Sequence, residues 1–229
     1  MEAVARPLYA QVREALVRRI AEGEWPAGTA LPSEFALAAE LGVSQGTVRK
    51  ALDAMAAENL VDRKQGRGTF VPEHTEARAL FHFFRIQDAK GAPVVPKTLE
   101  QRLGTGGTMP PLSGDTWRIE RLRALDGCPA IVEHIHIERA RFTQLAADTP
   151  LPNALYPWYQ KAGGVSVARA EDRLSAAAAP KPIATALGIA PGAPLLLARR
   201  VAYDLMDRPV ELRVSWIETS RHAYAVSLR

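Results

Sequence analysis

Apolar residues fall four apart at Leu8, Val12, Leu16 and Ile20, with polar and charged side chains between them. The spacing predicts a helix from Pro7 to Glu22 with one buried stripe, opened by a first-turn proline and stopped at Gly23. Leu31-Pro32-Ser33-Glu34 opens a second helix: Pro32 is rigid, Ser33 is a natural N-cap, and Glu34 suits the positive end. Leu37 and Leu41 give that helix an inward face, Gly42 breaks it, and Val43 is a small apolar plug for the turn. Ser44 then caps a third helix, with Val48, Leu52 and Met55 inward and Thr47, Arg49 and Lys50 outward. After Leu60-Val61, the run from Asp62 to Val71 reads as a β-hairpin with a Gly66-Arg67-Gly68 tip and a Thr-Phe-Val return strand.

Residues 72–79 are polar and without period, which predicts a linker between a domain at 1–71 and another at 80–229. Beyond it the pattern turns to strands. Leu80 to Ile86 is aromatic-rich, and Val94 to Arg102 is extended around Pro96. Trp117 to Leu125 and Cys128 to Glu138 form a hairpin across Asp126-Gly127. Leu151 to Ala162 predicts a short helix with Leu155, Trp158 and Tyr159 as its apolar face. Val165 to Ser175 follows as a strand, Pro180 to Leu187 as a helix, and Leu195 to Asp204 with Pro209 to Glu218 as a second hairpin. The fold class is therefore α+β, with a mostly antiparallel sheet in the second domain. The hairpins share a grammar (Arg121-Leu122-Arg123 before Asp126-Gly127 and Glu133; Arg199-Arg200-Val201 before Asp204 and Glu211), by duplication or by reuse of the same turn chemistry.

At 229 residues the chain can hold two modest cores, and its single cysteine, Cys128, excludes an internal disulfide framework or a cysteine-based zinc site. No uninterrupted apolar run approaches the roughly 20 residues of a membrane span, and no secretory apolar segment opens the chain. A soluble, cytoplasmic protein is expected. The net charge of +4 does not by itself point to nucleic acid, because residues 1–72 carry nine basic and nine acidic side chains. Local arrangement does: Arg49, Lys50, Arg63, Lys64 and Arg67 cluster on the third helix and the hairpin. A short helix with Ser, Thr, Arg and Lys on its exposed N-terminal half is what the major groove accepts, while a glycine-rich tip can approach a phosphate backbone.

In order and spacing, PLYAQV, LPSE, LGVSQGTVRKAL and GRGTFV resemble the winged helix-turn-helix of GntR-family bacterial transcriptional regulators. Asn59 stands where that family usually has Gly before the wing, and Asn is the next-best left-handed C-cap. The DNA-contacting set implied is Ser33, Glu34, Ser44, Thr47, Arg49, Lys50, Gly66, Arg67 and Gly68, with Arg49 placed to reach base edges. Further on, RLRALDGCPAIVE, the Leu-Tyr helix and LGIAPGAPLLLARRVAYD with RPVE resemble the UTRA effector-binding domain of the HutC branch, whose fold is similar to chorismate lyase.

Strand alternation puts Arg121 and Arg123 on one side, a bidentate grip for carboxylate or phosphate. Glu120, Glu133 or Glu211 could equally neutralise them as structural ion pairs. The resemblance implies that Arg121 and Arg123 meet an anionic effector group while Glu133 fixes its polar part. Tyr156 and Glu211 are further lining residues, Trp216 stands as an apolar lid where the family often has Tyr, and His82 and Arg85 close the other side. Ala154 removes a hydroxyl the family often carries before Leu-Tyr. His134 and His136 share a strand face without a ligand-spaced partner, so no metal is expected, nor any cofactor or catalytic residue. The expected function is a homodimeric repressor on a pseudo-palindromic duplex, released by a small anionic metabolite. An effector-independent DNA binder with a dimerising second domain, or a retained lyase-like enzyme, are the alternatives.

Overall fold

The computed structural model describes residues 6–147 and 149–226, except for the side chains of Leu80, Phe81 and His82. The chain divides into two compact units, the second beginning at Thr75.

In the first unit, α1 (Leu8–Ala21), α2 (Glu34–Leu41) and α3 (Gln45–Ala57) precede a hairpin of β1 (Asp62–Lys64) and β2 (Gly68–Phe70). The expected caps form: Ser33 Oγ accepts from Ala36 N at 3.1 Å and Ser44 Oγ from Thr47 N at 3.1 Å. Gly42 closes α2 at φ 65°, and Asn59 takes φ 59°, the left-handed conformation its place before the wing requires. Val12, Leu16, Ile20, Leu37, Val48, Leu52 and Met55 are buried, each worth roughly 1.5–3 kcal/mol relative to exposure. Leu8 departs from the predicted stripe and is 52% exposed. On a helix of 3.6 residues per turn each four-residue step drifts by about 40°, so Leu8 at the end of the row turns off the face that Val12, Leu16 and Ile20 bury.

The second unit opens with a correction. Glu76–Phe83 is a helix, α4, where Leu80 to Ile86 had been expected as a strand. Glu76, Ala77 and Ala79 are strong helix formers, and Thr75 Oγ1 accepts from Arg78 N at 3.1 Å. These outweigh the β preference of the phenylalanines, whose strand, β3, is only Ile86–Asp88.

The body of this unit is one six-stranded antiparallel sheet in the order β4 (Lys97–Thr108), β5 (Asp115–Leu125), β6 (Cys128–Glu138), β9 (Pro209–Ile217), β8 (Pro194–Asp204), β7 (Val167–Ala178). Asp126 and Gly127, at φ 48° and 81°, make the primed turn expected between β5 and β6. Helix α5 (Leu155–Gly163) sets Leu155, Tyr156 and Tyr159 against Trp117, Ile119, Ile135 and Ile137 on one face. Helix α6 (Lys181–Leu187) covers Val132 and Trp216 on the other with Ile183 and Leu187. The short β10 (His222–Tyr224) pairs with β3, and at three residues it is too short for a strand period to show.

Candidate functional site

In the first unit the sequence-predicted residues separate into supports and exposed groups. Ser33 and Ser44 are occupied as caps, and Ser44 Oγ also shares a 2.8 Å hydrogen bond with Thr47 Oγ1. Glu34 is four-fifths buried and takes two guanidiniums, Arg49 Nε at 2.9 Å and Arg63 of the wing. Burial opposes ionisation of Glu34, but hydrogen bonding and the charges of Arg49 and Arg63 hold its carboxyl below the usual range. Arg49 keeps most of its side chain in solvent (59% exposed), so one edge of its guanidinium is oriented while the rest is offered outward. Lys50 lies over the Tyr9 ring at 4.3 Å, which directs its stem along the helix surface. At the wing tip Arg67 is exposed, with Gly66 at φ 69° and Gly68 at φ 106° on either side. No atom stands within 4 Å of where a Cβ would lie at either glycine, so conformation rather than space demands glycine.

In the second unit Arg121, Arg123 and Glu133 come together on the α5 side of the sheet, all nearly buried. Two arginines that sequence reasoning missed join them. Arg213 reaches Glu133 at 3.2 Å and Glu211 at 2.8 Å, while Arg200 is held bidentately by Asp172 at 2.7 and 2.6 Å. The available signal was the two-residue step from Glu211 to Arg213, which puts both on one strand face. Glu211 has no exposure and is saturated: Tyr156 OH donates at 3.2 Å, Tyr159 OH at 2.6 Å, and Arg213 through two nitrogens. It acts as an internal strut.

Arg123 stands 3.7 Å from Glu133. Arg121 is different. Among the described residues it has no carboxylate within ion-pair distance and donates only to backbone carbonyls, Asn153 O at 3.0 Å and Pro152 O at 2.6 Å. Burial lowers its pKa to about 10, against the opposing pull of Glu133. Burial would raise the Glu133 carboxyl, but Arg213, Arg123 and Arg121 outweigh that and hold it at about 2. Among the described residues four arginines therefore face three carboxylates, Glu133, Glu211 and Asp172, with Glu76 a further negative charge felt by Arg123, and Arg121 is the one arginine of the four without an ion-pair partner. Among the described residues the Nε atoms of Arg121 and Arg123 and Oε2 of Glu133 are buried without a hydrogen-bond partner.

Arg121, Arg123, Arg200 and Arg213 line an open cleft whose apolar walls include Phe83, Phe84 and Tyr156. Phe83 meets the Tyr156 ring edge-on at 4.9 Å between centroids. A neighbouring hollow shares Phe83, Phe84, Arg200 and Arg213, and adds Arg85, Glu133 and Asp172. One expectation fails on strand parity. Trp216 pairs with Val132, so it faces α6 on the opposite side from Glu133 and cannot close this cleft. Its ring packs on His134 at 4.9 Å, and His136 Nδ1 bonds Thr116 Oγ1 at 3.0 Å. The His82 side chain lies outside the described residues.

Comparison with known proteins agrees with the fold class. Residues 8–71 match the profile of the bacterial regulatory proteins of the gntR family, and residues 111–223 match the UTRA domain. The chain is 30% identical over 208 residues to the HTH-type transcriptional repressor NagR of Bacillus subtilis, covering 86% of this chain and 84% of that one. With the HTH-type transcriptional regulator SmoD of Agrobacterium fabrum it shares 26% identity over 227 residues, 97% of either chain. A crystallised ligand-binding domain from Bordetella bronchiseptica, assigned to the GntR-family transcriptional regulators, superposes with a TM-score of 0.56 at 27% identity, covering 65% of this chain and 98% of that one.

Proposed function

Because this chain belongs to the GntR family of bacterial regulatory proteins and joins that family's DNA reader to a UTRA domain, we propose that it is a homodimeric repressor released from DNA by a small anion. Its relatives are transcriptional regulators and not enzymes, so the chorismate-lyase-like sheet serves here as a sensor. Two copies of α3 read a pseudo-palindrome through the major groove, with Arg49 at base edges and Arg67 of the wing at phosphate.

The observation that carries the ligand reading is the unmatched charge of Arg121. A buried cation solvated only by neutral carbonyls is costly, and a carboxylate or phosphate in the cleft relieves that cost with charge-assisted hydrogen bonds. Phe83, Phe84 and Tyr156 accommodate the apolar body of such a molecule. Binding shifts the population of dimer geometries away from the one whose half-site spacing fits the operator. An invariable second domain that only dimerises would have no use for a buried, unbalanced arginine.

The test selects bound duplexes from a random pool, then screens anionic metabolites by thermal shift and repeats the gel-shift titration with each hit. At least one anion should stabilise the protein and weaken operator binding tenfold or more, which corresponds to a coupling of about 1.4 kcal/mol. Enrichment of no sequence would remove the operator reading. A protein that binds an operator but responds to no anion would leave only a constitutive DNA binder.

A further inference from the structure

Asn153 occupies an unusual position in the hydrogen-bonding of the cleft. Its Oδ1 accepts from Arg123 NH2 at 3.1 Å, Thr98 N at 3.1 Å and Thr98 Oγ1 at 3.0 Å. Its Nδ2 donates to Pro96 O at 2.9 Å and to Glu76 Oε1 in the first turn of α4 at 3.2 Å. Its backbone carbonyl accepts from Arg121 and Arg123. Every polar atom of the side chain is engaged, and the reversed amide would set its N–H groups against two obligate donors, Arg123 NH2 and Thr98 N, and its oxygen against two acceptors, Pro96 O and Glu76 Oε1. The amide therefore has one orientation, with its oxygen toward the arginines and its nitrogen toward α4.

Both terminal nitrogens of Arg121 are committed to the carbonyls of Pro152 and Asn153. These are the acceptors that an incoming anion must replace, and a charged oxygen is the stronger one. The segment they belong to is the same segment that grips Glu76, and α4 starts at the second residue of its unit.

Building on the ligand reading above, we infer that Asn153 is a positioning residue that ties the state of the arginine pair to the first turn of α4. With the arginines on the Pro152 and Asn153 carbonyls, the amide is held against Thr98 and its nitrogen fixes Glu76. When an anion takes those donors, the 152–153 carbonyls are released, Asn153 loses its alignment, and α4 loses its anchor. The event at the cleft is thereby passed to the segment that leads out of the DNA-reading unit, through one side chain.

Hydrogen exchange on the full chain without DNA or ligand tests this, reading α4 amides against those of β5 and β6 as an internal reference. Asn153→Ala and Glu76→Ala should each speed α4 exchange about five- to tenfold, the scale of one or two hydrogen bonds, while Glu76→Gln, which keeps an acceptor, stays near wild type. Arg121→Ala should also speed α4 exchange, and adding it to Asn153→Ala should produce no further increase, because both cut one path. Wild-type α4 exchange in Arg121→Ala, additive effects in the double variant, or equal effects of Glu76→Ala and Glu76→Gln would each overturn the proposal. Should Arg121→Ala loosen β5 itself, Asn153→Asp decides: it keeps the oxygen toward Thr98 and Arg123 but sets a second oxygen against Glu76 in place of the donor, so α4 exchange must be at least as fast as in Asn153→Ala, and a wild-type rate refutes the link. No operator enters this measurement, so its failure leaves the repressor reading standing, and failure of operator binding leaves this result untouched.

Discussion

Glu34 on α2 and Arg49 on α3 are joined at 2.9 Å, and the same carboxylate takes Arg63 from the wing. One acidic side chain thus organises the cations of two separate elements of the DNA reader. Glu34→Gln should lower specific operator affinity about tenfold, the scale of one charge-assisted hydrogen bond, and lower non-specific affinity less. Gel-shift titrations on operator and scrambled duplex at one salt concentration measure both. An unchanged ratio would mean that Arg49 needs no alignment.

At the wing, Gly66 and Gly68 should tolerate substitution differently. Gly66 at φ 69° lies in the left-handed region that alanine enters for about 1 kcal/mol, whereas Gly68 at φ 106° lies outside it. Gly68→Val should therefore cost more stability than Gly66→Ala and bend the wing as well. Thermal unfolding paired with DNA titration separates the two. Equal stability loss from both would count against conformational demand as the reason for glycine.

Glu133 should contribute to the acid limit of the second unit. Its carboxyl is held at about 2, below the usual carboxylate value of about 4.3, so its contribution is complete above that value and disappears as pH falls through 2. The contribution is of order 3 kcal/mol by this linkage. Urea unfolding followed by tryptophan fluorescence between pH 2 and 7 should show stability falling across the acid limb. Glu133→Gln should be destabilised at pH 7, because Arg123 and Arg213 lose their shared anion, and should show a flatter limb. A parallel acid limb in wild type and variant would assign the loss to other carboxylates.

Trp216 offers a test of strand parity. Trp216→Phe should cost about 1–2 kcal/mol through looser packing under α6. It should leave the affinity of any anion for the cleft unchanged. Isothermal titration with a stabilising anion checks this, and a weakened ligand would place the ring on the cleft side after all.

What could be read in advance follows from how local each signal is. Ser33, Gly42, Ser44 and Asn59 declare helix ends through their own backbone preferences, and all four take those roles. Asp126-Gly127 likewise fixes its turn and, through alternation, the shared face of Arg121 and Arg123. The α4 segment was misread because phenylalanines favour strands, while the evidence for helix lay in its small residues and a threonine cap. Trp216 was misplaced although parity was available: five residues separate it from Glu211, so one strand must show them on opposite faces. Asn153 carried no signal at all, since its importance arises from Thr98, Arg123 and Glu76, which only the folded chain brings to it.

The saturation of Glu211 by Tyr156, Tyr159 and Arg213 bears on how such sensors diversify. The members of that Glu211 group already satisfy one another, and it resists change because altering any of them strands its partners in a buried setting. The walls are under no such constraint: Phe83, Phe84, Ala154 and Leu155 contribute shape without ionic obligations. New ligand preference should therefore arise, in descent or at the bench, by recutting those walls over an inherited ionic floor.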